Sequence, residues 1–425
     1  MNDARHSTTG AFASVTTLFF AWGFITSLVD PLVAAVKGIF SLSNVEAQLT
    51  AFAFFIAYGA VSIPAAILVS RLRTVPSIIL AIGMMIAACF VILAASNLAT
   101  YTGVLLGLFV MASGITILQV AANPLAAALG APEGSHFRLT FSQAFNSLGT
   151  VLGPLLGAHL MLEGVEVAEG EVITDAARAS ALGAIDLSFL IIAALLAALA
   201  LFIWRSKARI ERAAPPAGTV HGFRQTLSEV AQSRWALIGG AAIFLYVGAE
   251  VAIGTQMALF LSSQAIWNIP LQEAGYYVSL YWLGAMIGRF AGSALLTRFA
   301  AHRLLAFATA TAAALCLFVV VSRGVPAGYA ALAIGLFNSI MFPIIFTLTL
   351  ERSTASAEAT SGFLCMSIIG GAIIPLLVGK AADVSNYSTA VAIPMLCYVG
   401  LMIIAIAAGR ARSHAVGVVP DAAIH

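Results

Sequence analysis

The sequence predicts an all-α membrane protein with twelve transmembrane helices in two six-helix bundles. Three observations predict it: an excess of apolar residues, twelve apolar runs of spanning length, and sequence matches between the two halves. Of the 425 residues, 61% are hydrophobic and 9% are charged, whereas about a quarter of the residues in a soluble domain are charged. Water could not solvate so much apolar surface, so the lipid bilayer is the expected solvent.

Twelve apolar runs are long enough to cross a bilayer, which takes roughly 20 mainly apolar residues in a helix. A polar stretch at 205–234, with Pro215, Pro216 and several basic residues, separates the runs into six and six. We therefore predict an N-terminal bundle at 1–204, a linker at 205–234 and a C-terminal bundle at 235–425. The predicted helices lie near 13–36, 49–69, 76–96, 101–128, 138–162, 184–204, 235–262, 273–297, 303–321, 327–350, 360–380 and 388–408.

The distribution of basic residues predicts the orientation, because short cytoplasmic segments carry an excess of Lys and Arg. With the N-terminus inside, 15 of the 20 Lys and Arg residues fall in cytoplasmic segments. Arg289 falls within an apolar run, and the outer segments hold only Lys37, Arg178, Arg323 and Lys380. We therefore expect both termini in the cytoplasm and a multi-pass protein of the cell inner membrane.

The two halves share short sequence matches in corresponding helices. The matches pair each helix with the sixth helix after it, as expected for two parallel six-helix repeats of the kind found in transporters. They are GLF at 107–109 and 335–337, and Gly149 with PLL at 154–156 against Gly370 with PLL at 375–377.

Three charged side chains lie within the predicted spans away from their ends, namely Asp30, Glu250 and Arg289, whereas Asp186 lies at the outer mouth of the sixth span. Such a group costs about 2.5–3.5 kcal/mol at the bilayer centre on insertion scales, so each is a functional candidate. Arg289 needs an anionic partner or backbone carbonyls. Glu250 is therefore either a residue that couples a cation and binds substrate, or the group that neutralises Arg289.

Asp30 lies on a polar face of the first predicted helix. Trp22, Thr26 and Asp30 are spaced by four residues and share that face. Pro31 cannot donate a hydrogen bond to the carbonyl of Ser27, so the helix is open at this point. Desolvation raises the pKa of a carboxyl toward the working range, which makes Asp30 a candidate site for a coupling proton. The alternative is an Asp near the outer end whose side chain reaches water.

Two amide pairs mark the fourth and fifth predicted helices. Gln119 and Asn123 stand four residues apart in LQVAANP at 118–124, and Gln143 and Asn146 lie in SQAFNSLG. Amides both donate and accept hydrogen bonds, which suits the neighbouring hydroxyls of a sugar. The alternative is that these amides hydrogen-bond between helices and hold them together.

The second half adds an amide and aromatic rings. Asn338 lies in FNSIMFP, and Trp282 follows Tyr277 and Tyr281 in the eighth predicted helix. Trp22 and Trp282 could stack on the apolar face of a pyranose, although aromatic residues near helix ends often belong to the interfacial belt. Gly residues spaced by four favour close helix packing in the eighth helix: Gly284, Gly288 and Gly292.

Several classes of function are disfavoured by the sequence. No nucleophile and base, metal-ligand cluster or phosphate-binding loop is recognisable, so we expect no enzyme, no cofactor and no metal. The four cysteines are far apart within apolar runs, as is typical of buried apolar side chains. A net charge of +2, without a basic patch, indicates no nucleic-acid partner.

Several motifs resemble the fucose–galactose–glucose:proton symporter family. That resemblance implies the major facilitator fold, alternating access to a central cavity, and sugar uptake driven by a cation gradient. It also implies that Asp30 is the family's first-helix aspartate and that Gln143 and Asn146 contact sugar. The motifs are FFAWGF at 19–24, SLVDPL at 27–32, LQVAANP at 118–124, HFRLTFSQAFNSLGT at 136–150, YVGAEV at 246–251 and YYVSLYWLGAMIGRF at 276–290.

The chain departs from the family pattern at three positions. Ser27 replaces an Asn of the first helix, and Gln119 replaces a glutamate and cannot titrate. Glu250 stands where an amide is expected, so the second carboxylate is in the other bundle. This pattern is similar to members that transport glucose, galactose or N-acetylglucosamine.

The expected function is therefore uptake of a monosaccharide of the glucose, galactose, N-acetylglucosamine or fucose class. We expect symport with a cation, H⁺ rather than Na⁺, by a monomer in the lipid bilayer. The alternative is a major facilitator exporter of drugs or metabolites, against which the amides of helices 4 and 5 argue. The expected coupling residues are Asp30 and Glu250, and the expected substrate-binding residues are Gln119, Asn123, Gln143, Asn146, Glu250, Asn338, Trp22 and Trp282.

Overall fold

The computed structural model describes residues 2–28, 44–98, 100–161, 175–214 and 222–413. The predicted coupling residue Asp30 lies outside this part of the chain. The described residues form long helices throughout, which confirms the all-α fold. The helices of the N-terminal half are α1 Asn2–Ser27, α2 Asn44–Leu72, α3 Thr74–Asn97, α4 Tyr101–Ala128, α5 Ser135–Met161 and α6 Asp175–Ala213.

The C-terminal half contains three helices with interruptions. In α10 the interruption falls after Asn338, in α11 it is a 3₁₀ turn at Ser367–Ile369, and in α12 it falls after Ala390. The helices are α7 Arg234–Ser262, α8 Leu271–Leu295, α9 Ala301–Val321, α10 Gly324–Asn338 with Met341–Leu350, α11 Ala357–Met366 with Gly370–Val384, and α12 Tyr387–Ala390 with Ala392–Arg410.

Ten of these helices are long and apolar enough, over their described residues, to cross a membrane. They are all of the long helices except α5 and α8. The chain is therefore a multi-pass membrane protein. A composition of 61% hydrophobic residues agrees with this conclusion, since many large apolar side chains face outward from the bundle.

The predicted linker at 205–234 is largely helical. Helix α6 continues past residue 204 to Ala213, and a short linker helix follows at Phe223–Gln232. Lys, Arg, Glu and Ala favour helices, so the polar sequence can extend α6 beyond its apolar run. The pair Lys207 Nζ–Glu211 Oε1, at 3.9 Å and four residues apart, adds a small stabilisation.

Glycines allow close helix contacts within each half. A Cβ on Gly149 or Gly153 would overlap atoms of α1, so α1 and α5 approach along their backbones. In the other half, a Cβ on Gly288 would overlap the Leu336 carbonyl, and one on Gly292 would overlap Ile340. The close packing predicted from the glycines of the eighth helix is therefore confirmed.

The two halves meet at the end of the bundle where α4 and α10 end and α5 and α11 begin, which we call the closed end. There Ser361 Oγ of α11 donates to the Val120 carbonyl of α4 at 2.9 Å. His136 Nε2 of α5 lies 3.0 Å from Glu351 Oε1, just after α10. Ser135 Oγ also donates to Glu351, at 3.1 Å. These polar contacts join the halves on this side of the molecule.

Candidate functional site

A polar cavity of about 210 Å³ lies between the halves, at mid-length of the helices. Its walls carry amides from α4 and α5, hydroxyls from α1, α2, α5 and α7, and one carboxylate with one guanidinium. An adjoining cavity of about 150 Å³ shares Asn146, Thr150, Glu250 and Arg289 and extends to Trp282. Together the two cavities reach the lower part of the roughly 300–1,000 Å³ range of ligand pockets.

The amides of the N-terminal half are each anchored by one hydrogen bond. Gln119 Nε2 donates to the Tyr58 hydroxyl at 2.9 Å, and Asn146 Nδ2 donates to the Phe19 carbonyl at 3.2 Å. Gln143 Nε2 donates to Asn123 Oδ1 at 3.3 Å. The amides therefore hydrogen-bond between helices, as one interpretation expected, while Gln119, Gln143 and Asn146 also line the cavity, where their contact with a sugar stays a prediction. Such anchoring fixes the direction in which the remaining polar atoms point.

Glu250 and Arg289 form an ion pair in the C-terminal wall. Glu250 Oε1 lies 3.7 Å from Arg289 Nη2, and both side chains are almost fully buried. Arg289 Nε also donates to the Ser339 carbonyl at 3.0 Å, and Nη1 donates to the Ser147 hydroxyl. The guanidinium therefore contacts α5 of one half and α7 and α10 of the other. A buried charge needs such pairing to be tolerated.

Among the described residues, three polar atoms on the cavity wall have no hydrogen-bond partner outside a contact between the Tyr246 and Glu250 side chains. They are Thr26 Oγ1, the Tyr246 hydroxyl and Glu250 Oε1. A buried polar atom left unpaired costs about 1–3 kcal/mol. A ligand that carries several hydroxyl groups could satisfy all three, so the wall is suited to a polyhydroxylated molecule.

The structure brings most of the predicted site residues together and places two of them behind the wall. Asn123 and Asn338 are fully buried and do not border the cavity. Asp30 cannot be placed, since it lies outside the described residues. The predicted site residues that border the cavity are Trp22, Gln119, Gln143, Asn146 and Glu250, and Trp282 borders the adjoining cavity.

Asn338 supports the turn of α7 that carries Glu250. Its Nδ2 donates to the Tyr281 hydroxyl at 2.6 Å and lies 3.4 Å from the Tyr398 hydroxyl. Tyr281 in turn donates to the backbone carbonyl of Glu250 at 3.1 Å. Asn338 therefore acts on the site through Tyr281 rather than from the cavity wall.

Sequence reasoning missed Tyr58 and Ser147. Tyr58 holds Gln119, and Ser147 holds Arg289 from the opposite half. A single Tyr or Ser within an apolar run carries no spacing signal, so only the fold identifies these two. Tyr246, by contrast, stands four residues before Glu250, and that spacing places both side chains on one face of α7.

Comparison with known proteins places the chain among sugar transporters. The Major Facilitator Superfamily profile matches residues 11–375. The glucose/galactose transporter of Brucella abortus biovar 1 (strain 9-941) is 40% identical over 395 residues, which cover 91% of each chain. The L-fucose-proton symporter of Escherichia coli (strain K12) is 32% identical over 410 residues, covering 93% of this chain and 92% of that protein.

A solved structure supports the same assignment. The crystal structure of the major facilitator transporter FucP in the outward conformation superposes with a TM-score of 0.83 at 29% sequence identity. The alignment covers 95% of this chain and 99% of that one. The fold, the profile match and the relatives therefore agree. The chain belongs to the fucose–galactose–glucose:proton symporter family of the major facilitator superfamily.

Proposed function

We propose that this protein takes up a neutral monosaccharide, of the class of glucose and galactose, in symport with a proton. The observation that carries the proposal is the cavity between the halves, with amides on one wall and the Glu250–Arg289 pair on the other. The Brucella relative is a glucose/galactose transporter and the Escherichia coli relative an L-fucose-proton symporter. The protein is a transporter and not an enzyme.

The charges of the cavity favour a neutral substrate. Glu250 and Arg289 offset one another at 3.7 Å, so the described wall carries no net charge. Amides and hydroxyls can both donate and accept, which matches sugar hydroxyls in either orientation. Trp22 offers an aromatic surface for the apolar face of a pyranose. A lipophilic cation, as an exporter would carry, would offer no hydrogen-bond partner to the polar atoms of these amides that the protein leaves unbonded.

Twelve membrane spans follow if α5 and α8 also cross the bilayer. Both pack against other long helices, and the positive-inside rule then places both termini in the cytoplasm. The halves correspond to bundles at 1–204 and 235–425, joined by the linker at 205–234. The protein works as a monomer in the cell inner membrane, surrounded by lipid.

We expect cysteine labelling in intact cells to test this orientation. A cysteine in place of Glu169, in a predicted outer loop, should react with a membrane-impermeant maleimide. A cysteine in place of Gly218, in the predicted cytoplasmic linker, should react only after the membrane is permeabilised. The opposite pattern would invert the topology.

With this orientation the closed end faces the cytoplasm, and the protein is in an outward-facing state. The inter-half contacts of His136, Ser135 and Ser361 then form the cytoplasmic gate. The similarity to FucP in the outward conformation supports this state. Alternating access requires these contacts to break while the opposite side closes.

The pKa of Glu351 predicts how the gate responds to substitution and pH. Burial raises the pKa of Glu351. The hydrogen bond and charge of His136, together with the charge of Arg352, lower it by more, so this pKa lies below its usual value. The closed gate therefore favours ionised Glu351. The stabilisation of the closed gate by Glu351 is complete above the ordinary glutamate pKa of about 4.3. It is lost as the pH falls through the lowered pKa.

We expect Glu351→Gln to open the gate and expose Cys365, which is fully buried in α11. With the other three cysteines replaced, Cys365 should be alkylated about tenfold faster than in the parent, as about 1.4 kcal/mol of lost stability implies. The ratio of the two rates should fall toward one at low pH. Glu211→Gln, at an exposed ion pair, is the matched control. Equal rates for Glu351→Gln and the parent would remove this pair from the gate.

Replacement of Asn146 tests the amide wall. Asn146→Ala removes a donor and an acceptor that border both cavities. A lost hydrogen bond is worth about 1–1.5 kcal/mol, so sugar affinity should fall about tenfold. Isothermal titration with the purified protein measures this. Asn97→Ala, an exposed amide bonded to Asp186, should bind as wild type does. Unchanged affinity in Asn146→Ala would mean that Asn146 only joins α5 to α1.

Counterflow in proteoliposomes tests the proposed function itself. Vesicles loaded with unlabelled D-glucose should accumulate labelled D-glucose through the protein, and unlabelled D-galactose should compete. The labelled sugar should be recovered chemically unchanged. Efflux of a lipophilic cationic dye without any sugar counterflow would favour the exporter instead.

A further inference from the structure

Helices α1 and α7 present the same pattern of residues to the cavity. In α1, Trp22 is followed four residues later by Thr26; in α7, Tyr246 is followed four residues later by Glu250. All four side chains line the cavity. The two helices correspond to one another in the six-helix repeat indicated by the sequence matches. Each half therefore contributes one aromatic ring and one oxygen-bearing side chain, on facing helices.

The polar atoms of this arrangement are the unpaired ones. The hydroxyl of Thr26 has no hydrogen-bond partner among the described residues, and the Tyr246 hydroxyl and Glu250 Oε1 have none apart from the contact between these two side chains. Tyr246 is fully buried and Glu250 is 8% exposed. The other buried tyrosines of this half differ, because Tyr281 bonds Glu250 and Asn338, and Tyr398 lies near Asn338. Tyr246 differs from these two tyrosines because its side chain lines the cavity.

The geometry of Arg289 leaves Glu250 able to accept a hydrogen bond. A distance of 3.7 Å between Arg289 Nη2 and Glu250 Oε1 is too long for a hydrogen bond but close enough for charge attraction. Ser147 and the Ser339 carbonyl hold the guanidinium in place. Arg289 therefore balances the charge of the carboxylate without occupying Oε1, which can still accept a hydrogen bond from a ligand. A hydroxyl that donates to a carboxylate makes a stronger bond than one that donates to a neutral acceptor.

We propose that Thr26 and Tyr246 bind the sugar directly and, with Glu250, form a hydroxyl clamp for neighbouring hydroxyls of one neutral pyranose. Glu250 accepts from a sugar hydroxyl, while Tyr246 and Thr26 can donate or accept. The clamp spans both halves, so a bound sugar draws α1 and α7 together. This inference rests on the proposed function and assigns two further residues to its site.

The hydroxyl clamp predicts which hydroxyl groups of the sugar are required for tight binding. A site built to hydrogen-bond a hydroxyl discriminates against the analogue that lacks it, because the protein group is then left unpaired. The hydroxyls that meet Tyr246 and Thr26 should each be required for tight binding. A sugar hydroxyl that meets neither residue should be dispensable.

Binding of deoxy sugars to hydroxyl-deleted variants tests the clamp. The full-length protein in detergent is titrated with D-glucose, D-galactose and the four monodeoxy-D-glucoses that lack the 2-, 3-, 4- or 6-hydroxyl. The variants are Tyr246→Phe and Thr26→Val, which remove one hydroxyl each with little change of shape. Thr309→Val is the matched control, since Thr309 is buried in α9 of the same half, borders neither cavity, and its hydroxyl donates to a carbonyl of its own helix. Melting temperatures without sugar verify folding.

We expect each clamp variant to bind D-glucose about tenfold more weakly than wild type. For each variant, one deoxy sugar should bind as well as it binds wild type, because the sugar already lacks the partner hydroxyl. This non-additivity identifies the pair. Thr309→Val should leave the affinity ratios of all the deoxy sugars unchanged.

Two results would overturn the clamp while leaving the proposed function standing. One is wild-type affinity for D-glucose in both variants. The other is an equal loss for every sugar, which would indicate a structural effect of the hydroxyl. If wild-type protein bound none of these sugars, the proposed function would fail instead, and the clamp with it.

Discussion

Glu250→Gln should reduce sugar transport more than tenfold, and more than Gln119→Glu does. The substitution leaves Arg289 without its anion and removes the carboxylate that we propose accepts a hydrogen bond from the sugar. Breaking a buried ion pair at one partner costs about 3–5 kcal/mol, so binding or coupling should suffer strongly. Initial rates of D-glucose uptake in proteoliposomes, normalised to reconstituted protein, measure the effect.

The double variant Glu250→Gln with Arg289→Gln separates the two roles of Glu250. If Glu250 binds sugar or the coupling proton, neutralising Arg289 restores folding but not transport. If Glu250 only neutralises Arg289, the double variant transports as wild type does. The melting temperature of each variant distinguishes a folding defect from a transport defect. Full recovery of uptake in the double variant would refute a direct role for Glu250.

Asp30→Asn should abolish uphill accumulation of sugar while sparing downhill exchange. The amide is close in size to the carboxylic acid but cannot bind and release a proton, so sugar would move without coupling. The ratio of internal to external D-glucose under an imposed proton gradient should fall from well above one to about one. Counterflow at equal pH should continue at a measurable rate.

The control for this result is a neighbouring polar residue on α1. Ser27→Ala removes a hydroxyl that donates to the Phe24 carbonyl at 2.9 Å and carries no titrating group. It should retain accumulation. Full accumulation by Asp30→Asn would exclude Asp30 as the coupling residue.

The sequence predicted the helices well because spanning length and apolarity are local properties. The run at 101–128 coincides with α4, and that at 235–262 begins one residue after α7 does. The interruption of α10 after Asn338 was not predicted. Pro343 cannot donate a hydrogen bond to the Ser339 carbonyl, four residues before it, and Arg289 Nε donates to that carbonyl instead. The proline therefore marks the break in the local sequence, but only the fold shows which residue on another helix bonds the freed carbonyl.

The sequence predicted which residue types lie in and around the cavity. It did not predict which of them border the cavity and which lie behind those that do. Gln119 and Asn123 share a helix face, yet Gln119 borders the cavity and Asn123 lies behind Gln143. Helical spacing gives the direction of a side chain but not the depth of the neighbour that covers it. The same limit applies to Asn338, whose partners Tyr281 and Tyr398 come from two other helices. Only the assembled bundle distinguishes the residues on the wall from those that support it.

The most direct test of proton-coupled sugar uptake is the pH inside proteoliposomes when sugar is added outside. A pH-sensitive dye in the lumen reports proton entry with no gradient imposed. D-glucose should acidify the lumen of vesicles that contain wild-type protein, whereas L-glucose should not. Vesicles with Asp30→Asn should take up labelled D-glucose without acidification. Entry of D-glucose through the wild-type protein with no change of internal pH would contradict the account.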